Sequence, residues 1–356
     1  FFRFIGGVGV GASSVAAPVY ISEISTAATR GRLTAMYQFN IVFGILIAFI
    51  SNYLIGVIFE ENIAWRWMLG IEGLPALIYT FMVTKIPNSP RWLLLKNHED
   101  SVIIKSITHL GIETERASIH LSEIKTALVE TAEKHKENLF SGKYNKSLVL
   151  AFLIAFFNQL SGINFVLYYA PEILERAGLA SGESLFSSIS IGVINLIFTF
   201  VGISLIDKLG RKQLMYIGSI GYIISLAMVG WCFYTSASSV LLLIFILVFI
   251  ASHAIGQGAV IWVFISEIFP NKVRSYGQAW GTGTHWIFAA LITLLTPTFL
   301  DSEIGIFKDN PWPIFVFFSV MMVLQLLWVI FMMPETKGIS LEELGKLLSS
   351  KKGDSK

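Results

Sequence analysis

Phe156–Leu174 reads FFNQLSGINFVLYYAPEIL. Two asparagines, a glutamine, a serine and two adjacent tyrosines crowd into 19 residues of a chain that is otherwise oily. On a soluble helix such groups could face water, so the surrounding composition decides how the stretch is read. Of 356 residues, 54% are hydrophobic and 14% charged, against the roughly 25% charged of a soluble domain. That is the composition of a membrane protein. In hydrocarbon a polar group without a partner is costly, so the polar residues from Asn158 to Tyr169 must face a bundle interior or a wet cavity.

Working outward, apolar runs of the length needed to cross a ~30 Å hydrocarbon layer number about nine. They lie near 4–24, 33–58, 66–86, 148–172, 185–206, 213–234, 240–265, 277–299 and 312–333. Connections taken alternately carry 22 of the 26 basic residues on one side. The positive-inside rule makes that side cytoplasmic, and with it the C-terminus. A net charge of +2 gives no reason to expect nucleic-acid binding. One cysteine, Cys232, excludes an internal disulfide framework. The opening FFRFIGG has no initiator Met and no signal-peptide n-region, and reads as a start inside a longer chain.

One connection is long. Residues 87–147 are mixed in charge, with helix-like apolar spacing at Ile103, Ile107 and Leu110 and at Leu121, Ile124 and Leu128. They separate three spans, in 1–86, from six, in 148–333, with a tail at 334–356. A repeat makes the asymmetry informative. The first span ends YISEISTAATRG and the seventh FISEIFPNKVRS, each with an arginine seven residues after a glutamate: Glu23 and Arg30, Glu267 and Arg274. PNSPRW then closes one half and PETKG the other. Two halves that end alike predict six spans in each, so three are expected ahead of Phe1.

Six ordered motifs carry a closer likeness: RGRLTAMYQFNIVFGILIA, PNSPRWLL, NQLSGINFVLYYAP, DKLGRKQL, SEIFPNKVR and PETKG. Together they resemble the sugar porter family of the major facilitator superfamily, from what would be its fourth helix to its end. The resemblance implies an all-α polytopic protein, with about nine of twelve transmembrane helices here, in two pseudo-symmetric six-helix bundles of which the first is truncated. It also implies transport of a hexose, pentose or polyol by alternating access across a cell membrane, without a cofactor. Proton symport is the expected mode, with passive facilitation the alternative within transport. A non-transporting sugar sensor and an inactive gene fragment are the alternatives outside it.

The chemistry suits that reading. A sugar is neutral and covered in hydroxyls, and a carboxamide offers both donor and acceptor with no charge to desolvate, while an aromatic face packs against the ring. By resemblance the substrate-binding residues are Gln38, Asn158, Gln159, Asn164, Asn195, Trp262, His285 and Trp286. Departures from the family pattern are Asn158 where a glutamine is usual, His285 where Gln or Asn is usual, and Asn88 where Glu is usual. On an unbroken helix Gln159 and Asn164 lie about 140° apart. Gly162 and Pro171 predict a broken helix whose outer part, with Tyr168 and Tyr169, acts as a gate. Isolated carboxamides also tie membrane helices together for ~0.6–2 kcal/mol. Gln38 and Asn195 taken alone fit that role, whereas Gln159, Asn164 and Trp262 sit inside long matching motifs.

Charges at helix ends read as a cytoplasmic latch: Glu23, Arg30, Asp207, Arg211, Lys212, Glu267, Arg274 and Glu335. Arg3 stands alone as a basic residue inside a span, which is costly unless paired, and the resemblance implies a part in proton coupling. GGVGVG at Gly6–Gly11 lies within a span with no preceding strand and is no dinucleotide fingerprint. His98, His109, His120 and His135 lack metal-ligand clustering, and no nucleophile, base and acid converge as in an enzyme.

Overall fold

The computed structural model describes all residues except 25–29, 133–137, 271–272, 302, 340–343, 345–346 and 349–356. Side chains at 2–3, 15, 18–19, 22, 30–35 and 127–132 lie outside the description as well, which takes in Arg3 and Arg30. Among the described residues every regular element is helical. Among the described residues seven helical segments are long and apolar enough to cross a membrane, consistent with an all-α polytopic protein.

Two of the nine expected spans are not among these seven. In helix α1 (Phe2–Ile24) the described apolar stretch is Phe4–Ser14, the side chains at 15, 18–19 and 22 lying outside the description. The third expected span is two helices, α3 (Glu61–Ile71) and α4 (Gly73–Val83), parted at Glu72. Pro75 accounts for the break: it has no N–H to donate to the carbonyl of Ile71, and its ring crowds that carbonyl.

The chain forms two compact units, residues 1–41 with 65–136, and 42–64 with 137–356, the boundary falling within helix α2 (Arg30–Ile58). In the first unit, α5 (Pro90–Leu95) begins after Ser89, whose hydroxyl accepts from Trp92 N–H at 3.3 Å. Helices α6 (Asp100–His109) and α7 (Thr114–Ala132) pack a small core of Leu93, Ile103, Ile107, Ala117 and Leu121. Of the 3–4 spacing read in the sequence, Ile103, Ile107, Leu121 and Ile124 face inward and Leu110 is half-buried, while the side chain of Leu128 lies outside the description. Tyr20 Oη donates to Pro87 O at 2.8 Å, tying the end of α1 to this segment.

The second unit holds the main core. Its elements are α8 (Asn145–Leu160), α9 (Ile163–Tyr168), α10 (Ala170–Arg176), α11 (Ser181–Leu209), α12 (Arg211–Tyr234), α13 (Ser239–His253), a π-helical turn at Ala254–Gly258, α14 (Ala259–Glu267), α15 (Arg274–Leu300) and α16 (Trp312–Phe331). Helix α12 packs between α13 and α16, while α15 lies along α8. Large apolar side chains such as Ile220, Ile224, Leu294 and Phe331 point outward, as helices bathed in lipid require.

Candidate functional site

The opening stretch is three helices. Helix α8 stops at Leu160, Gly162 takes φ +81°, α9 runs to Tyr168, and α10 begins at Ala170 with Pro171 in its first turn. Glycine suits 162 on two counts. Its positive φ strains other residues, and a Cβ there would sit 2.6 Å from Phe318 Cδ2.

The break closes the 140° gap. Asn164 Nδ2 donates to Gln159 Oε1 at 2.8 Å, a contact that no straight helix allows at five residues' separation. Gln159 is fully buried. One of its amide hydrogens goes to Asn158 Oδ1 at 3.0 Å. The other meets His285, with Nδ1 at 3.1 Å and Nε2 at 3.2 Å, and only the ring nitrogen without a hydrogen can accept it. His285 is flanked by Trp262, with centroids 5.0 Å apart, and by Trp286, 5.3 Å away and edge-on. Both indoles remain more than a third exposed, at 37% and 39%, so each keeps an open face. Six of the eight expected substrate residues therefore form one cluster.

The other two stand apart. Asn195 is buried on α11, and among the described residues no hydrogen bond joins it to this cluster. Gln38 belongs to the first unit and is half-buried. Tyr169 Oη reaches Thr293 O on α15 at 3.3 Å, whereas Tyr168 is exposed.

The end of the second unit that carries Gly210 and Glu335 holds charge instead. Arg211, 8% exposed, grips Glu267 through Nη2–Oε1 at 2.7 Å and Nε–Oε2 at 3.1 Å. Its Nη1 donates to Asp207 Oδ1 at 3.4 Å. Glu335 does something the sequence reading did not foresee. Helix α12 starts after Gly210, which has no side chain to cap the orphan N–H groups of the first turn. Glu335 supplies the cap from 124 residues away: Oε1 accepts from Arg211 N–H at 3.0 Å and Oε2 from Lys212 N–H at 2.9 Å. Gly210, at φ +90°, makes room, since a Cβ would lie 2.6 Å from Glu335 Oε2.

Burial raises the pKa of Glu335, but backbone N–H groups of Lys337, Lys212, Arg211 and Thr336 outweigh it and hold the carboxyl below its ordinary range. Thr336 was missed in the sequence although it stands in PETKG; its Oγ1 donates to Glu267 Oε2 at 2.6 Å. Arg274, the arginine seven residues after Glu267, donates through Nε to Phe269 O at 3.3 Å. Glu23 lies at the end of α1 in the first unit. Arg30 and Arg3 fall on side chains outside the description.

Two further polar groups escaped the sequence reading. His253 and Tyr222 meet inside the second unit, with Nδ1 and Oη 2.5 Å apart. The available signal was an ionisable residue within an apolar span, which always asks for a partner.

Comparisons with known proteins agree with the geometry. Residues 1–348 match the family model described as sugar (and other) transporter. The D-xylose-proton symporter of Escherichia coli is 34% identical over 360 residues, covering 97% of this chain and 70% of that protein. The arabinose-proton symporter of Bacillus subtilis is 34% identical over 352 residues, covering 97% and 74%. An inward-open structure of the xylose transporter XylE from E. coli superposes with a TM-score of 0.82 at 33% identity, covering 97% of this chain and 72% of that one. With its helical architecture, its buried carboxamide cluster and a family match over nearly its whole length, the chain belongs to the sugar transporter family, a group of multi-pass membrane transporters.

Proposed function

We propose that this chain moves a neutral monosaccharide of the pentose or hexose class, coupled to protons, by exposing one site alternately to the two sides of a cell membrane. The observation that carries the reading is the uncharged cluster at the α8–α9 break. Asn158, Gln159 and Asn164 hold one another in place, and His285 takes the remaining Gln159 hydrogen. Asn164 keeps its own oxygen and a second N–H for substrate, His285 keeps its second nitrogen, and Trp262 and Trp286 offer faces for the apolar side of a sugar ring. No charge has to be desolvated when a hydroxyl-rich ligand arrives.

In this proposal Gln38 and Asn195 add contacts from their own helices, and Tyr168 and Tyr169 gate the outer end of the broken helix. Arg3 takes part in proton coupling. Arg211, Lys212, Asp207, Glu267, Glu335 and Arg274 form the cytoplasmic latch, with Glu23 and Arg30 as its counterparts in the first half. The C-terminus faces the cytoplasm. The family names of the xylose and arabinose relatives favour proton symport over passive facilitation.

The test is uptake of radiolabelled D-xylose, L-arabinose and D-glucose into proteoliposomes, with and without an inside-alkaline pH gradient. At least one sugar should enter faster than into empty liposomes, and the gradient should drive accumulation that a protonophore abolishes. Gln159→Ala removes the carboxamide that holds Asn164 and His285 in place and should raise KM severalfold, as expected when groups worth ~1 kcal/mol per hydrogen bond to a neutral ligand lose their positioning. Uptake of all three sugars equal to that of empty liposomes would sink the reading.

A further inference from the structure

Two backbone carbonyls of α15 need donors from outside their own helix. Pro297 lies inside α15 and has no N–H to give the carbonyl four residues earlier, Thr293 O. At the helix end the last four carbonyls lack donors from the next turn. The residues that follow meet three of them: Asp301 N–H donates to Pro297 O at 2.8 Å, Ile306 N–H to Thr298 O at 3.0 Å and Phe307 N–H to Phe299 O at 3.0 Å. The fourth is Leu300 O, on a residue only 1% exposed, where a carbonyl without a partner is costly.

Both carbonyls are met by the segment beyond the α8–α9 break. Tyr169 Oη donates to Thr293 O at 3.3 Å, and Arg176 Nη2 donates to Leu300 O. Arg176 Nη1 donates to Lys308 O at 2.9 Å as well, so one guanidinium spans the end of α15 and the connection to α16. Glu172, one turn earlier on α10, lies 3.5 Å from Nη2 and aims the fork. The Tyr169 rung is long for a hydroxyl, which makes Arg176 the stronger of the two.

The two rungs are in register. Tyr169 and Arg176 are seven residues apart, and so are Thr293 and Leu300. Seven residues are close to two helical turns, so both donors and both acceptors fall on single facing stripes. Apolar packing alone lets a short helix slide along its neighbour; donors two turns apart on acceptors two turns apart admit one position. Beside the Arg176 rung lies a cavity of about 420 Å³, lined in part by Arg176, Phe233, Lys308, Asn310 and Cys232. Cys232 is the one cysteine of the sequence and is 1% exposed.

We propose that Tyr169 and Arg176 are positioning residues that clasp the segment beyond the break onto α15, through the carbonyl that Pro297 frees and the last carbonyl of the helix, so that this segment moves only when the two rungs open. The clasp is a property of the second unit. That its opening is a step of transport rests on the gate assigned in the function proposed above, and the two are read by different measurements.

Hydrogen–deuterium exchange of the peptide covering Tyr168–Ala177 reads the clasp. Arg176→Met keeps the stem and removes every donor, and should speed exchange there severalfold while leaving peptides in the middle of α12 unchanged; Arg176→Lys keeps the charge without the fork and should lie between. In the Met variant Cys232, followed by mass spectrometry of its peptide, should react faster with N-ethylmaleimide. Unaltered exchange in Arg176→Met overturns the clasp, whether or not the protein carries sugar. Should that variant fail to accumulate in the membrane, a cycle at the other rung decides. Tyr169→Phe should speed exchange about two- to threefold, as expected for one hydrogen bond of ~0.5 kcal/mol. Pro297→Ala returns an N–H to Thr293 O, so in that background Tyr169→Phe no longer leaves the carbonyl without a donor and its effect should shrink. An equal effect in both backgrounds refutes the clasp. For the gate, maximal velocity of uptake should change at least about twofold in Arg176→Met, since movements of such segments set many turnover rates; an unchanged velocity refutes the gating role.

Discussion

Removing the carboxylate of Glu335 tests the idea that a distant tail caps α12. In Glu335→Ala the N–H groups of Arg211 and Lys212 lose their acceptor. Glu335 is partly exposed, so water replaces some of what is lost, and each bond is taken at the low end, about 0.5–1 kcal/mol. A negative charge at a helix N-terminus contributes about 0.3–1 kcal/mol more. The expected loss is about 1.3–3 kcal/mol, a fall in Tm of about 3–12 °C for a unit of this size, measured by thermal unfolding in detergent. Glu335→Gln loses the charge and one of the two accepting oxygens, so its Tm should fall by a smaller amount, about 2–8 °C. The pH dependence has a definite sign. The folded carboxyl titrates below its unfolded value of 4.5, so its contribution is complete above that value and is lost as pH falls through the folded one. The gap between parent and Glu335→Gln should be constant from about pH 6 to 8 and narrow as pH falls below 4.5. A Gln variant as stable as the parent at neutral pH, or a gap unchanged in acid, would refute the capping role.

Gly162→Ala combines a positive φ with a methyl group forced against Phe318; a destabilisation of about 1–3 kcal/mol is expected, read as a lower Tm, and a parental Tm would mean that the break tolerates a side chain. Arg211→Ala leaves Glu267 without its bidentate partner and should cost about 3–5 kcal/mol. Arg211→Lys keeps the charge but not the fork, and should lie between; equal stability of the Lys variant and the parent would show that charge alone matters there.

Much of the architecture was legible because hydrocarbon is an unforgiving solvent. A run of about 20 apolar residues has few other uses, and seven of the nine expected spans reappear as single membrane-length helical segments. The break at Gly162 was legible too, since glycine and a downstream proline are local signals with local consequences. Pro75 carried the same kind of signal and was passed over, because an apolar window hides a kink. What could not be read were partners. The repeat set Glu267 beside an arginine seven residues on, but the structure gives it Arg211, 56 residues upstream, and Thr336, 69 residues downstream. Spacing along a helix says which groups share a face; it does not say which neighbouring helix arrives to meet them.

The two polar regions of the second unit follow from one rule applied at two depths. At the α8–α9 break, inside the helical bundle, the groups that meet are amides, hydroxyls, an imidazole and indoles, each able to pair without carrying a full charge. At the helix ends around Gly210 the same need for partners is met by Arg211, Glu267 and Glu335, because nearby water lowers the cost of charge. Glu335 bridges the two solutions: it is a charge, yet its partners are backbone N–H groups, so it replaces the hydrogen bonds that the start of α12 would otherwise take from water. The sequence prepares this with glycine at 210, which cannot cap its own helix and leaves space for a carboxylate that can. Exchanging the two kinds of chemistry would fail at both places, since a carboxylate at 159 would be a buried charge facing the Asn158 oxygen, and an amide at 335 would cap a helix dipole without opposing it.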